Sequence, residues 1–120
     1  TRLPGVTGVQ TCALPILLKF YRYMSNFGEI IDAPVPVLVD FFADWNESTS
    51  TMNEVVRHVA AAMGDKAKVV KIDVEKNAEL AEALKIKGVH TLIIYKDGQM
   101  VWRQIGEVDA NTLIHLIQTQ

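Results

Sequence analysis

The fold is decided by the stretch VLVDFFADWNESTS, which occupies residues 37–50. Its first six residues are aliphatic or aromatic apart from one aspartate, a composition typical of a strand buried on both faces. Polar residues then fill positions 46–50, and beyond them apolar residues recur at helical spacing until Gly64. These apolar positions are Met52, Val55, Val56, Val59, Ala62 and Met63. The stretch therefore predicts a central strand, a polar loop and an amphipathic helix in succession.

The flanking sequence repeats these two periodicities. Before the central strand, Ser25 is predicted to cap a short helix that the prolines at 34 and 36 end. After the long helix we predict a strand over 68–74, a helix capped by Asn77, strands over 91–95 and 99–105 joined by the hairpin signal Asp97-Gly98, and a last helix opened by Asp109. The order α-β-α-β-α-β-β-α predicts one α/β domain, whose central mixed sheet carries helices on both faces.

The first 23 residues differ from the rest of the chain. Residues 6–16 resemble the translation of a sequencing-library adapter, so we expect residues 1–23 to be a leader outside the fold and the domain to span 24–120 from Met24. The apolar run at 14–18 is too short to cross a bilayer. Because Cys12 is the only cysteine, residues 24–120 contain neither a disulfide nor a cysteine-ligated metal site.

Composition and charge limit the class of partner. Of the 120 residues, 49% are hydrophobic and 22% are charged, which excludes a disordered chain. Without Arg2, Lys19 and Arg22 the remaining residues comprise nine basic and 14 acidic side chains, a formal net charge of −5. That balance gives no electrostatic reason to expect nucleic acid or an anionic membrane as a partner.

Four further motifs accompany the strand–loop–helix stretch. They are KIDV at 71–74, KGVHTL at 87–92, KDG at 96–98 and Gly106. Together with VDFFADW at 39–45, and in this order and spacing, they resemble the thioredoxin family across residues 24–120. The resemblance implies a thioredoxin-like fold and a W-C-x-x-C-K loop. In that loop the first cysteine attacks as a thiolate at a helix N-terminus and the second resolves the mixed disulfide.

The chain departs from the family at both cysteine positions. Asn46 and Thr49 stand there, so neither a thiolate nor a disulfide is available and we expect no catalytic residue, no cofactor and no enzymatic activity. Asparagine is among the best N-cap residues, and such a cap contributes about 1 kcal/mol. We therefore interpret Asn46 as the cap of the long helix.

His90 is the second departure, because the family keeps a cis-proline at this position. A cis bond before a non-proline residue is unfavourable, so we expect a trans peptide here. The family uses the backbone just before that proline to hold a substrate chain. The resemblance also implies a buried pair between Asp40 and Lys71, which without a thiol we expect to remain as structure only.

The leading hypothesis is a monomeric, cytoplasmic, redox-inactive domain that binds a polypeptide at the former active-site surface. That surface comprises Trp45, Asn46, Glu47, Val89, His90 and Gly106. A divergent enzyme is the alternative, with Thr49, His90 and Asp40 forming a proton relay. A metal site from His90, Asp44 and Glu47 lacks a diagnostic ligand spacing. A third hypothesis is that the chain keeps the fold and exercises no function.

Overall fold

The long apolar strand of the sequence is the centre of the sheet. The computed structural model describes residues 6–8, 23–43 and 49–120, and the side chains of 26–43 and 51–120. The strands are β1 (Val6–Gly8), β2 (Val37–Phe42), β3 (Lys68–Asp73), β4 (Thr91–Lys96) and β5 (Gln99–Ile105). The α-helices are α1 (Tyr23–Ile31), α2 (Thr49–Met63), α3 (Ala78–Ala83) and α4 (Ala110–Gln118), and a short 3-10 helix, Gly64–Lys66, follows α2.

The sheet is mixed, as the element order predicts. Its strand order is β1-β3-β2-β4-β5. The central strand pairs in parallel with β3, since α2 crosses over between them, and antiparallel with β4. The hairpin β4–β5 is antiparallel and turns at Asp97 and Gly98, whose φ angles of 54° and 77° suit a tight hairpin turn. The predicted thioredoxin-like architecture is confirmed.

Two apolar cores lie on the two faces of the sheet because side chains alternate along each strand. On one face, Leu38 of β2 packs with the apolar sides of α2 and α4, including Met52 and Leu113. On the other, Phe41 packs with α1 and α3 through Phe27 and Leu80. Asp40 therefore points to the face that α2 and α4 cover.

The helix caps follow the prediction in part. Asp109 caps α4 by accepting a hydrogen bond from the Thr112 amide at 3.2 Å. Hydrogen bonds from the Thr112 hydroxyl and amide hold the pKa of the Asp109 carboxyl below its ordinary value. Asn77 occupies the N-cap position of α3 but makes no side-chain cap bond, because its amide donates backward to the Asp73 carbonyl at 3.0 Å.

The N-terminal region differs from expectation at two points. α1 begins at Tyr23, so Ser25 lies inside the helix and its predicted role as the cap is wrong. Val6–Gly8, from the segment predicted to lie outside the fold, pairs antiparallel with β3. The physical reason is local: Val6 and Thr7 have high strand propensity, and β3 otherwise presents an unpaired edge. Tyr23, the last residue of that segment, belongs to α1. For the remaining residues of the leader the expectation stays a prediction.

Across the ranges that the structure describes, every helix is too short or too polar to cross a membrane.

Candidate functional site

A buried aspartate–histidine pair lies where β2 and β4 run side by side. Asp40 belongs to β2, and His90 immediately precedes β4. The Asp40 Oδ1 atom lies 2.9 Å from Nδ1 of His90, and both side chains are fully buried. An imidazole that carries its proton on Nδ1 donates to the carboxylate, which fixes the orientation of the ring.

The outer atoms of this pair have no partner. Within the described part of the chain, neither Asp40 Oδ2 nor His90 Nε2 makes a hydrogen bond, although both atoms are buried. Buried polar atoms left unpaired are uncommon in folded proteins, because each one loses its hydration without compensation. The pair is thus only half satisfied by its own hydrogen bond.

Lys71 does not join the pair, so the predicted Asp40–Lys71 ion pair is wrong. The two residues are register partners in the parallel pairing of β2 with β3. The Lys71 ammonium, however, lies 4.6 Å from the ring centroid of Phe42, a cation–π contact on the neighbouring strand. His90 reaches the carboxylate instead, because it approaches from the opposite side, before β4. The ammonium of the long, half-exposed lysine side chain can remain closer to water.

The peptide bond between Val89 and His90 is cis, and the expectation of a trans bond was wrong. The expectation from sequence rests only on the intrinsic preference of a peptide bond before a non-proline residue for the trans form. In the fold, one long-range and one local hydrogen bond hold this segment: the His90 carbonyl accepts from the Gly106 amide at 2.8 Å, and the Thr91 hydroxyl donates to the Gly88 carbonyl. His90 thus occupies the position of the family's cis-proline with the same peptide geometry.

Val89 presents free backbone groups beside this pair. Its N–H and C=O make no hydrogen bond to any residue that the structure describes, and its side chain is half-buried. Gly106, also half-buried and with a φ of 101°, closes the far side of the segment. Such an unpaired, partly exposed backbone is the arrangement that accepts an added strand.

The predicted site residues separate into three groups. Asp40, His90, Val89 and Gly106 come together around one segment, whereas Lys71 turns away from it. His90 is buried as a whole residue, so it does not form part of the exposed surface that was predicted. Trp45, Asn46 and Glu47 lie outside the described residues, as does Asp44 of the metal hypothesis, and Thr49 is the first residue of α2.

Sequence reasoning missed two residues that shape this region. Arg103 of β5 donates from Nη1 to the Leu84 carbonyl at 2.7 Å and from Nη2 to the Lys85 carbonyl at 2.6 Å. Ile105 is 54% exposed and lies against Gly88. Alternation along β5 places these two residues on one face, but no sequence signal indicates which loop they meet.

The family model described as thioredoxin matches residues 18–119, and the chain belongs to the thioredoxin family. The match begins within the segment predicted to be a leader.

Individual relatives agree with the family assignment. A chloroplastic thioredoxin Y from Oryza sativa subsp. japonica is 38% identical over 96 residues, covering 79% of this chain and 57% of that protein. Thioredoxin 1 of Synechococcus elongatus is 36% identical over 89 residues, 74% of this chain and 83% of its own length. The chain thus spans little more than half the length of the rice protein.

A solved structure shows the same fold. A mutant thioredoxin from Halobacterium salinarum NRC-1 superposes with a TM-score of 0.72 and 34% identity, over 79% of this chain and 82% of that one.

Proposed function

We propose that this chain is a thioredoxin-family domain that has no dithiol redox activity and binds an extended polypeptide along Val89. The observation that carries the proposal is that the N–H and C=O of Val89 make no hydrogen bond to the described residues, so they can pair with one residue of an added strand. The buried hydrogen bond between Asp40 and His90 holds the residue that directly follows Val89. We take the domain to be monomeric and cytoplasmic.

The loss of redox activity follows from the chemistry of the loop. A disulfide exchange reaction requires a thiolate nucleophile and a second thiol that resolves the intermediate. Asn46 and Thr49 supply an amide and a hydroxyl at these positions, and Cys12 lies far away in sequence. A single cysteine cannot complete the cycle within one chain.

The first test is reduction of insulin disulfides in the presence of dithiothreitol. We expect no acceleration over dithiothreitol alone, either for the chain or for its Cys12→Ser variant, which has no thiol. The matched variant carries Asn46→Cys and Thr49→Cys together and restores both sulfur atoms. Catalytic turnover by the Cys12→Ser variant would refute the redox-inactive assignment.

The second test concerns binding at Val89. A library of random decapeptides is displayed on phage and selected on the immobilised chain, and a retained peptide is then synthesised. We expect the Val89 amide, measured by hydrogen exchange, to exchange rapidly in the free protein and to become protected when that peptide is added. The amide of Ile93, in a central strand, serves as the control that is protected throughout. Unchanged exchange at Val89, or a library that yields no binder, would overturn the docking proposal.

A second candidate function is an enzyme that uses the Asp40–His90 pair. The 2.9 Å contact favours it, because a carboxylate that orients a histidine is the usual arrangement behind a hydroxyl nucleophile. The full burial of His90 argues against direct contact with a substrate in this conformation. Hydrolysis of p-nitrophenyl acetate that is lost on both His90→Ala and Thr49→Ala would favour the enzyme over the binding module.

A further inference from the structure

The segment that leads into Val89 is held by its backbone and presents lysine side chains to solvent. The Ile86 amide donates to the Ala81 carbonyl at 2.8 Å, and the Arg103 guanidinium binds the carbonyls of Leu84 and Lys85. Ile86 is partly buried against the core that α1 and α3 cover. The two residues on either side of it, Lys85 and Lys87, are exposed.

These two ammonium groups have no acidic partner among the described residues. Neither forms an ion pair, although Glu82 stands close by in the sequence. Among the described residues Lys66 and Lys76 likewise form no ion pair, whereas Lys68 donates to the Ile30 carbonyl at 2.9 Å and Arg57 pairs with Glu54. Lys85 and Lys87 differ from these lysines in their position, because they lie within four residues of Val89 and form a local positive charge in a region of net negative charge.

Both lysines lie within reach of a chain paired with Val89. Lys87 precedes Val89 by two residues, so their Cα atoms are at most about 7 Å apart, and Lys85 lies within about 14 Å. A strand of about five residues that pairs with Val89 is therefore long enough to reach both lysines. Acidic side chains on that strand are attracted by the two ammonium groups and repelled by the rest of the acidic domain. The position of the two lysines therefore fixes the register of the strand.

An apolar contact adjoins the cationic pair. A Cβ atom placed on Gly88 would lie 3.0 Å from Cγ2 of Ile105, so the exposed Ile105 side chain packs closely beside the residue that precedes Val89. Half-buried Val89 and exposed Ile105 together offer a small apolar surface next to the free backbone groups.

Resting on the proposed docking at Val89, we propose that the bound polypeptide is acidic. It carries an apolar side chain that contacts Val89 and Ile105, and aspartate or glutamate residues that pair with Lys85 and Lys87. The lysines act as specificity-determining residues, whereas the free backbone of Val89 supplies binding that is independent of sequence.

The test compares peptide selection on matched variants. Random decapeptides displayed on phage are selected on the parent chain, on the double variant Lys85→Gln/Lys87→Gln, and on Lys66→Gln. Lys66 is exposed and follows α2 before β3, at the end of the sheet opposite His90, so its variant controls for overall charge. A synthetic acidic binder and its amide counterpart, with Asn and Gln for Asp and Glu, are then titrated by fluorescence anisotropy at low and high salt.

We expect the parent and Lys66→Gln to enrich aspartate and glutamate beside an apolar residue, and the double variant to lose that enrichment. The acidic peptide should bind the double variant about three- to tenfold more weakly than the parent at low salt, and the difference should shrink in high salt. Equal affinity of the parent for the acidic and the amide peptide would overturn this inference and leave the docking proposal standing. A library that yields no binder on the parent would overturn both.

Discussion

At the scale of single residues, the Asp40–His90 pair is the central feature of the site. Two side chains that are 50 positions apart form one buried hydrogen bond, and the outer atom of each has no hydrogen-bond partner in the described part of the chain. A lone buried carboxylate is unfavourable unless it is paired or protonated. His90 therefore supplies the partner that Asp40 requires at a position where the family has a proline.

A double-mutant cycle measures this coupling. We expect Asp40→Ala and His90→Ala each to lower the free energy of unfolding by about 3 kcal/mol, because each change leaves one buried polar group without its partner. The double variant should lose less than the sum of the two, by about 1–3 kcal/mol, in urea denaturation. Asp40→Ala combined with Leu80→Ala, on opposite faces of the sheet, is the additive control. Additivity in the first cycle would show that the pair contributes no coupling.

Tyr95 gives the fold a dependence on alkaline pH. Burial raises the pKa of its hydroxyl from 10.0 to about 12, against a smaller opposing effect of the Arg103 charge. Since the pKa is raised in the folded state, the associated stability is complete below pH 10 and is lost as the pH rises towards 12. The hydroxyl also lacks a hydrogen-bond partner among the described residues, so Tyr95→Phe should be tolerated at pH 7.

Thermal unfolding of the parent and Tyr95→Phe between pH 8 and 12 tests whether the Tyr95 hydroxyl causes a loss of stability at alkaline pH. The melting temperature of the variant should fall less than that of the parent above pH 10. A difference between the two proteins that stays constant over this pH range would contradict the prediction.

At the scale of elements, Arg103 joins β5 to the end of α3. Its guanidinium satisfies the carbonyls of Leu84 and Lys85, and Lys85 has the positive φ of 58° that often terminates a helix. Residues 86–89, which lead to the proposed docking position at Val89, follow directly after Lys85. Their position thus depends on a contact between two elements that are not neighbours in the sequence.

Replacing Arg103 should weaken that connection. We expect Arg103→Ala to lower the free energy of unfolding by about 1–2 kcal/mol through the loss of two charge-assisted hydrogen bonds. Arg103→Lys should retain only part of the free energy of unfolding that Arg103 contributes, since a lysine lacks the planar fork that reaches both carbonyls. Arg57→Ala is the control, because its ion pair with Glu54 is exposed and should contribute less than about 0.5 kcal/mol. Equal urea midpoints for Arg103→Ala and Arg57→Ala would refute the structural role.

At the scale of the whole molecule, the residues of both cores whose side chains the structure describes lie between positions 27 and 117. β1 adds three register pairs to the outer edge of β3. Its contribution to the fold is therefore that of a short edge strand.

Deletion of residues 1–17 should consequently leave the fold intact. We expect cooperative unfolding with a melting temperature lower by no more than about 4–8 °C, the equivalent of about 1 kcal/mol in a domain of this size. Thr7→Pro in the full chain removes one amide from β1 and should reproduce part of any decrease. Loss of the cooperative transition on deletion would show that the N-terminal segment is integral to the domain.

The sequence by itself determined the order of elements from α1 onwards, the two apolar cores and the absence of a pair of cysteines. The predicted strand over 37–42 coincides with β2, and the predicted strand over 68–74 ends one residue late. These features can be predicted from the sequence because the periodicity of apolar side chains and the turn preference of Asp97-Gly98 are local properties of the chain.

Only the tertiary structure decided which side chain meets Asp40. The candidates, Lys71 and His90, stand 31 and 50 positions away along the chain. Lys71 is the register partner, yet its ammonium lies against Phe42, and His90 forms the hydrogen bond because the segment before β4 is fixed by Gly106 and Thr91. Long-range contacts of this kind depend on how elements pack and on the reach of each side chain, and neither is contained in a local pattern.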